Sequence, residues 1–208
     1  MFRLTDIMLQ NFEKDLHKFH ELFQGGRCQA WQLEELIAKS INSDFNYKDK
    51  AFWTGNGHDI DADIIVGDYK ISVKSGKIKK ATKQNPERLI LSGHRLGRFD
   101  GKLDKITDFL NTNKYLLVAV PYYEKHCKHG KQHNYQILYI DANILKPNAL
   151  TWNIQYSKKS STKITKYILT NEYGVCLSLN PSMSWQVWWE IPLSIISEEN
   201  KTRMIVID

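Results

Sequence analysis

The chain predicts a mixed α/β fold, a sheet with helices on its faces. Three observations predict it. Apolar residues recur at helical spacing up to residue 42, short apolar and aromatic runs follow between turn signals, and a third helical pattern separates two of those runs. The 208 residues, 42% of them apolar, suit one domain spanning 1–208, and no internal repeat or low-complexity linker calls for a second.

The first predicted helix covers 5–23, where Asp6, Glu13, Lys14 and Asp15 interrupt an apolar pattern and make it amphipathic. The second covers 29–42, with Leu33, Leu36, Ile37, Ser40 and Ile41 on one stripe. Glu34 flanks that stripe and Glu35 points away from it. A hairpin comes next: Ile64-Ile65-Val66 and the run from Tyr69 to Lys74 flank Gly67-Asp68, a two-residue turn signal. A third strand is expected over 88–92 and a helix over 102–110, with Leu103, Ile106, Phe109 and Leu110 on one face. The runs 115–120, 136–140, 167–169 and 175–179 read as further strands.

The hairpin concentrates charge in an unusual way. A tight turn faces Val66 with Tyr69, Asp63 with Ser72 and Asp61 with Lys74. Residues opposite each other in a ladder share a side of the sheet. Two carboxylates, a hydroxyl and an ammonium therefore gather on one face, while Ala62, Ile64, Ile71 and Val73 line the other. Carboxylates so close repel one another, and a divalent cation with oxygen ligands relieves the conflict. Such an ion can activate a water and stabilise charge on phosphate oxygens. Lys74 supplies positive charge where negative charge develops.

Asp63 with Ser72-Val73-Lys74 resembles the PD-(D/E)xK nuclease core, in which an acid opens one strand of a hairpin and an acid-x-Lys triplet sits on the other. Ser72 stands where that family usually has an acid. The branch of type II restriction endonucleases that cuts around CCGG shows the same departure and recovers the carboxylate thirteen positions after its Lys, which here is Glu87. That branch carries a much longer insertion between its Asp and its Ser-x-Lys. The likeness covers roughly residues 34–98.

The resemblance implies a restriction-endonuclease-like mixed central sheet flanked by helices. It implies Asp63, Lys74, Glu87 and Ser72 as catalytic residues, with Asp63, Glu87, Asp61 and Glu34 as candidate ligands of Mg²⁺, for which Mn²⁺ would substitute. Glu34 enters because nucleases of this class often carry an acid on the helix before the hairpin. The implied protein is a prokaryotic, cytoplasmic type II restriction endonuclease acting on double-stranded DNA. A chain with one active site would cut both strands of a palindrome as a homodimer. Its competitors are a repair or structure-specific nuclease of the same fold and a DNA-binding protein that has lost the metal site.

Charge agrees with a polyanionic partner. The formal net charge is +6 and the pI is near 9.1. Lys77, Lys79, Lys80, Lys83, Arg88, Arg95 and Arg98 surround the hairpin in sequence, and a second basic stretch runs over 158–166. Ser92-Gly93-His94-Arg95-Leu96-Gly97-Arg98 reads as a loop that would present Arg95 and Arg98 to phosphates or guanine edges, and His94 to a phosphate. Cys28, Cys127 and Cys176 are few, scattered and odd in number, which argues for a reducing cytoplasm. No apolar run approaches a membrane span and no signal peptide is expected.

Two further clusters take blander readings. His126, Cys127, His129 and His133 match no zinc spacing, and Lys128 and Lys131 would repel a cation, so a basic loop is expected. Trp185, Trp188 and Trp189 read first as core packing, second as a subunit interface and third as base stacking.

Overall fold

The computed structural model describes residues 2–23, 26–55, 62–83, 85–112, 114–128, 130–148 and 151–207, with backbone only at Ser160. In chain order the helices are α1 (Asp6–Leu22), α2 (Ala30–Asn42) and α3 (Leu103–Asn111). The first strands are β1 (Ala51–Trp53), β2 (Ile64–Val66), β3 (Tyr69–Lys79), β4 (Arg88–Arg95), β5 (Leu116–Cys127) and β6 (Gly130–Tyr135). They are followed by β7 (Leu138–Asp141), β8 (Asn153–Ser157), β9 (Ser160–Thr170), β10 (Cys176–Asn180), β11 (Gln186–Pro192) and β12 (Ile205–Ile207). The class is mixed α/β. The chain falls into two compact units, one of Met1–Lys77, Tyr115–Ile140 and Ser197–Asp208, the other of Ile78–Lys114 and Asp141–Ile196.

In the first unit, strands run in the order β12, β6, β5, β3. β2 joins β3 antiparallel and β1 joins β2, whereas β5 runs parallel to β3 with Ile71 opposite Leu116 and Lys74 opposite Ala119. α1 begins where the Thr5 side chain accepts from Met8 N at 3.3 Å, filling an orphan donor of the first turn. Met8, Phe12 and Leu16 of α1 and Leu33, Ile37 and Ile41 of α2 then pack with Ile64, Val66, Ile71 and Val73. Each such side chain contributes about 1.5–3 kcal/mol when fully buried. Asp15 ties the two helices together through Lys39 Nζ at 2.7 Å.

On β6, His133 stacks against His20 of α1 with ring centroids 3.8 Å apart. His20 Nε2 shares a hydrogen with Tyr135 Oη at 2.9 Å, and Tyr122 Oη bonds His133 Nδ1 at 2.9 Å. Burial and two neighbouring histidines lower the His20 pKa to about 4.

The second unit is an antiparallel sheet ordered β4, β11, β10, β9, β8, accompanied by α3. Leu89, Leu91, Leu177, Leu179, Val187 and Trp189 are buried. Gly93 is required here, because a Cβ would meet the Trp189 ring at 2.2 Å. Trp152 of the same unit donates from Nε1 to Thr107 Oγ1 of α3 at 2.9 Å.

Several element boundaries differ from the sequence reading. The third strand, expected over 88–92, continues to Arg95 because β11 supplies ladder partners as far as Gln186 opposite Arg95. Ser92 to Arg95 are therefore strand residues and not a loop. The run 136–140 is observed as β7, Leu138–Asp141, and β5 extends well beyond 120 as one arm of a hairpin with β6. Among the described residues no helix is long and apolar enough to cross a membrane.

Candidate active site

The β2–β3 hairpin keeps the register its turn demands. Gly67 takes φ 54°, the positive value a primed two-residue turn needs, and Val66 lies opposite Tyr69. The ladder ends at Ile64 opposite Ile71. Asp63 comes next, its amide donating to Ile71 O at 2.9 Å and its carbonyl accepting from Thr54 N at 3.1 Å. These two bonds fix the backbone on both sides, so the side chain has one direction to take. Ala62, Ile64, Ile71 and Val73 are buried on the opposite face.

Three donors converge on one oxygen of Asp63. Ser72 Oγ donates to Oδ2 at 3.0 Å, Val73 N at 2.7 Å and Lys74 Nζ at 2.9 Å. Among the described residues Oδ1 accepts none of them. Lys74 Nζ also donates to Val73 O at 3.0 Å. The Asp63 and Lys74 side chains are 27% and 18% exposed, so the pair is screened but reachable from solvent. Ser72 spends its hydroxyl on orienting Asp63 and is itself buried.

Glu34 of α2 is the second acid. Burial first and the Asp63 carboxylate second push its carboxyl pKa up, while Trp53 and Lys74 pull it down. The Trp53 Nε1–H donates to Glu34 Oε2 at 3.4 Å. Glu35, its neighbour, is exposed. Two mutually repelling carboxylates beside a lysine are a donor set that suits Mg²⁺, which takes one or two carboxylates and leaves the rest to water and phosphate. Among the described residues no group of three or more His, Cys, Asp or Glu side chains is placed to hold a metal ion. Asp61 lies outside the described residues.

Tyr115 joins this site without any announcement in the sequence. It precedes β5, on the same alternating positions as Leu117 and Ala119, which pair with Ser72 and Lys74. Tyr115 is 6% exposed, its hydroxyl has no hydrogen-bond partner among the described residues, and burial together with Asp63 pushes its pKa up. Trp53 joins the site too, through its bond to Glu34. Its signal was the Ala51-Phe52-Trp53 run just upstream of the hairpin, which forms β1 against β2.

The remaining candidates belong to the second unit, apart from Lys77. Glu87 is exposed just before β4, its carbonyl accepting from Leu193 N at 3.1 Å. Lys79 and Lys80 are exposed at the end of β3 and just beyond it, as is Lys77 within the first unit. Arg95 is exposed on β4. Arg98 lies over two rings, 4.6 Å from the Phe109 centroid and 4.9 Å from that of Phe99. His94 meets the Phe109 ring edge-on at 5.6 Å. Both residues are thus engaged in aromatic packing against α3.

The histidine cluster at the β5–β6 hairpin divides by strand position. His126 Nε2 lies 3.3 Å from Glu124 on the exposed arm, and His133 is buried in the His20 stack; His129 lies outside the described residues. Of the three tryptophans, Trp189 is fully buried in the core of the second unit and Trp185 stacks on Tyr167 at 5.4 Å.

Comparison with protein-family models, with curated proteins and with solved structures finds no match to this chain.

Proposed function

We propose that this chain is a Mg²⁺-dependent endonuclease that hydrolyses phosphodiester bonds in double-stranded DNA. Its active site would be the PD-(D/E)xK-like hairpin and its mode of action that of a type II restriction enzyme, a homodimer in a prokaryotic cytoplasm. The observation that carries this reading is the convergence of Ser72 Oγ, Val73 N and Lys74 Nζ on Asp63 Oδ2. A solvated strand acid needs no such grip.

In this reading Asp63 and Glu34 hold the cation, with Asp61 or Glu87 as further ligands. The bound ion supplies Lewis-acid charge and a water of lowered pKa. Ser72 and the Val73 amide keep the Asp63 carboxylate in one orientation, so nothing has to reorganise when substrate arrives. Lys74 holds its ammonium beside that carboxylate, where an attacking water or a phosphate oxygen would take the third hydrogen. Exposed Lys77, Lys79, Lys80 and Arg95 supply positive charge for the backbone of the duplex.

A second reading is a DNA-binding protein of the same fold without metal chemistry. One observation favours it: the Lys74–Asp63 pair already neutralises the acid that a cation would need. Incubation with unmodified DNA and Mg²⁺ separates the readings. Discrete fragments indicate a restriction enzyme, nicks or structure-dependent cuts a repair-type nuclease, and retardation without cutting the second reading.

A further inference from the structure

The hairpin of β8 and β9 is a strip of backbone with little core behind it. β9 pairs with β10 only from Tyr167 to Thr170, so its length back to Ser160 is bonded to β8 alone. Among the described residues β8 has no other neighbour. The strands close at Ser157 opposite Ser160 around a Lys158-Lys159 turn, where Lys159 N donates to Ser157 Oγ at 3.2 Å. A strand laid on a core buries alternate residues. Here Asn153, Ile154, Gln155 and Tyr156 are all exposed, the two apolar side chains at 46% and 48%.

Residues 153–167 carry four lysines and no acid. Lys158, Lys159, Lys163 and Lys166 are all exposed, and no carboxylate among the described residues pairs with them. Lysines on an edge strand often serve only to prevent sheets from joining. That explanation covers Lys163 and Lys166, which lie where β9 is itself an open edge, but it does not account for Lys158 and Lys159 in the turn or for a second exposed face carrying Ile154 and Tyr156. A free ribbon with unpaired cations and exposed Tyr156 complements a polyanion with a groove. The major groove of B-form DNA, about 12 Å wide, admits a two-stranded ribbon. That of A-form RNA is too deep and narrow for side chains to read.

We infer that the β8–β9 ribbon enters the major groove of duplex DNA and that its lysines contact the phosphates on either side. This goes beyond the nuclease reading, since it concerns the second unit alone and stands whether or not Asp63 hydrolyses anything. The test is binding of a short fluorescent DNA duplex across a salt titration, in chelator, so that cleavage plays no part. Each lost phosphate contact lowers the slope of log affinity against log salt by about 0.9. The double variant Lys159→Ala with Lys163→Ala should lose between about one and two units of slope by that rule and bind roughly tenfold more weakly at low salt.

A control of equal charge change, Lys14→Ala with Lys48→Ala, removes two exposed lysines of the first unit and should leave the slope alone. Melting curves matching the wild type exclude a folding artefact. Three results overturn the inference: no DNA binding by the wild type, an unchanged slope in the ribbon variant, or an equal loss in the control. Duplex RNA or anionic vesicles bound as tightly as duplex DNA, with the same loss in the ribbon variant, would overturn it too.

Discussion

Lys74 Nζ and Asp63 Oδ2 stand 2.9 Å apart, and the same oxygen takes the Ser72 hydroxyl and the Val73 amide. The pair is partly exposed, so its worth to stability is small. Its position says more than its energy, since a lysine and an acid are aligned on a hairpin whose other face is core. Lys74→Ala should fold normally, retain DNA binding and lose about a hundredfold or more in cleavage, the scale for removing one charge-stabilising donor. Steady-state cleavage and gel retardation of the same preparation check this.

Glu34 carries a carboxyl whose pKa burial and Asp63 push up. A group raised in the folded state costs stability once it is ionised, above its unfolded value. Glu34→Gln should therefore raise the melting temperature by a few degrees at neutral pH and abolish the gain at low pH. If the acid also holds the cation, the same variant will need more Mg²⁺ for half-maximal cleavage. A lower melting temperature would show that Glu34 is an ordinary structural residue.

Tyr115 carries a buried hydroxyl with no partner among the described residues. Leaving such a group unpaired costs about 1–3 kcal/mol, so Tyr115→Phe should be neutral or stabilising in urea denaturation. A cleavage rate that falls while stability holds would place the hydroxyl in the chemistry. Unchanged cleavage would make it a by-product of packing.

Much of this site was legible because its signals are local. The Gly67-Asp68 turn sets the register, period-two alternation separates the acid face from Ile71 and Val73, and helical spacing puts Glu34 beside the buried stripe of α2. Tyr115 was not legible, because its place depends on parallel pairing of β3 with β5, and nothing in either strand states which strand it will meet. The length of β4 depends on a distant partner in the same way, since β11 carries its ladder partners. β11 does carry a local signal. Val187, Trp189 and Ile191 alternate as a half-buried strand does.

The His20–His133 stack makes the first unit sensitive to acid. The His20 pKa falls from 6.5 to about 4 on folding, so the unfolded chain takes up its proton first as pH drops. Stability is fully present above pH 6.5 and declines until about pH 4, by roughly 3 kcal/mol from this group. His20→Gln should flatten that part of the curve of stability against pH, measured by urea denaturation. A wild-type curve that is flat from pH 6.5 to 4 would show that the stack takes up protons without cost.

If the PD-(D/E)xK resemblance holds, Glu87 is the candidate for the carboxylate that Ser72 does not supply. If it serves the site as its spacing implies, Glu87→Ala should lose nearly as much cleavage as removal of Asp63. Normal cutting by Glu87→Ala, with loss in Asp61→Ala or Glu34→Ala, would assign the ligand to one of those residues.

If Asp63 anchors a metal-dependent phosphodiesterase, supercoiled plasmid incubated with Mg²⁺ will reveal it. Wild-type protein should convert the plasmid to discrete cut products and stop on addition of chelator. Asp63→Asn, which keeps the size of the side chain and removes its charge, should still retard the DNA but leave it intact. An Asp63→Asn variant that cuts at the wild-type rate, or wild-type cleavage that persists in excess chelator, would show that Asp63 and a bound cation do not carry out the hydrolysis.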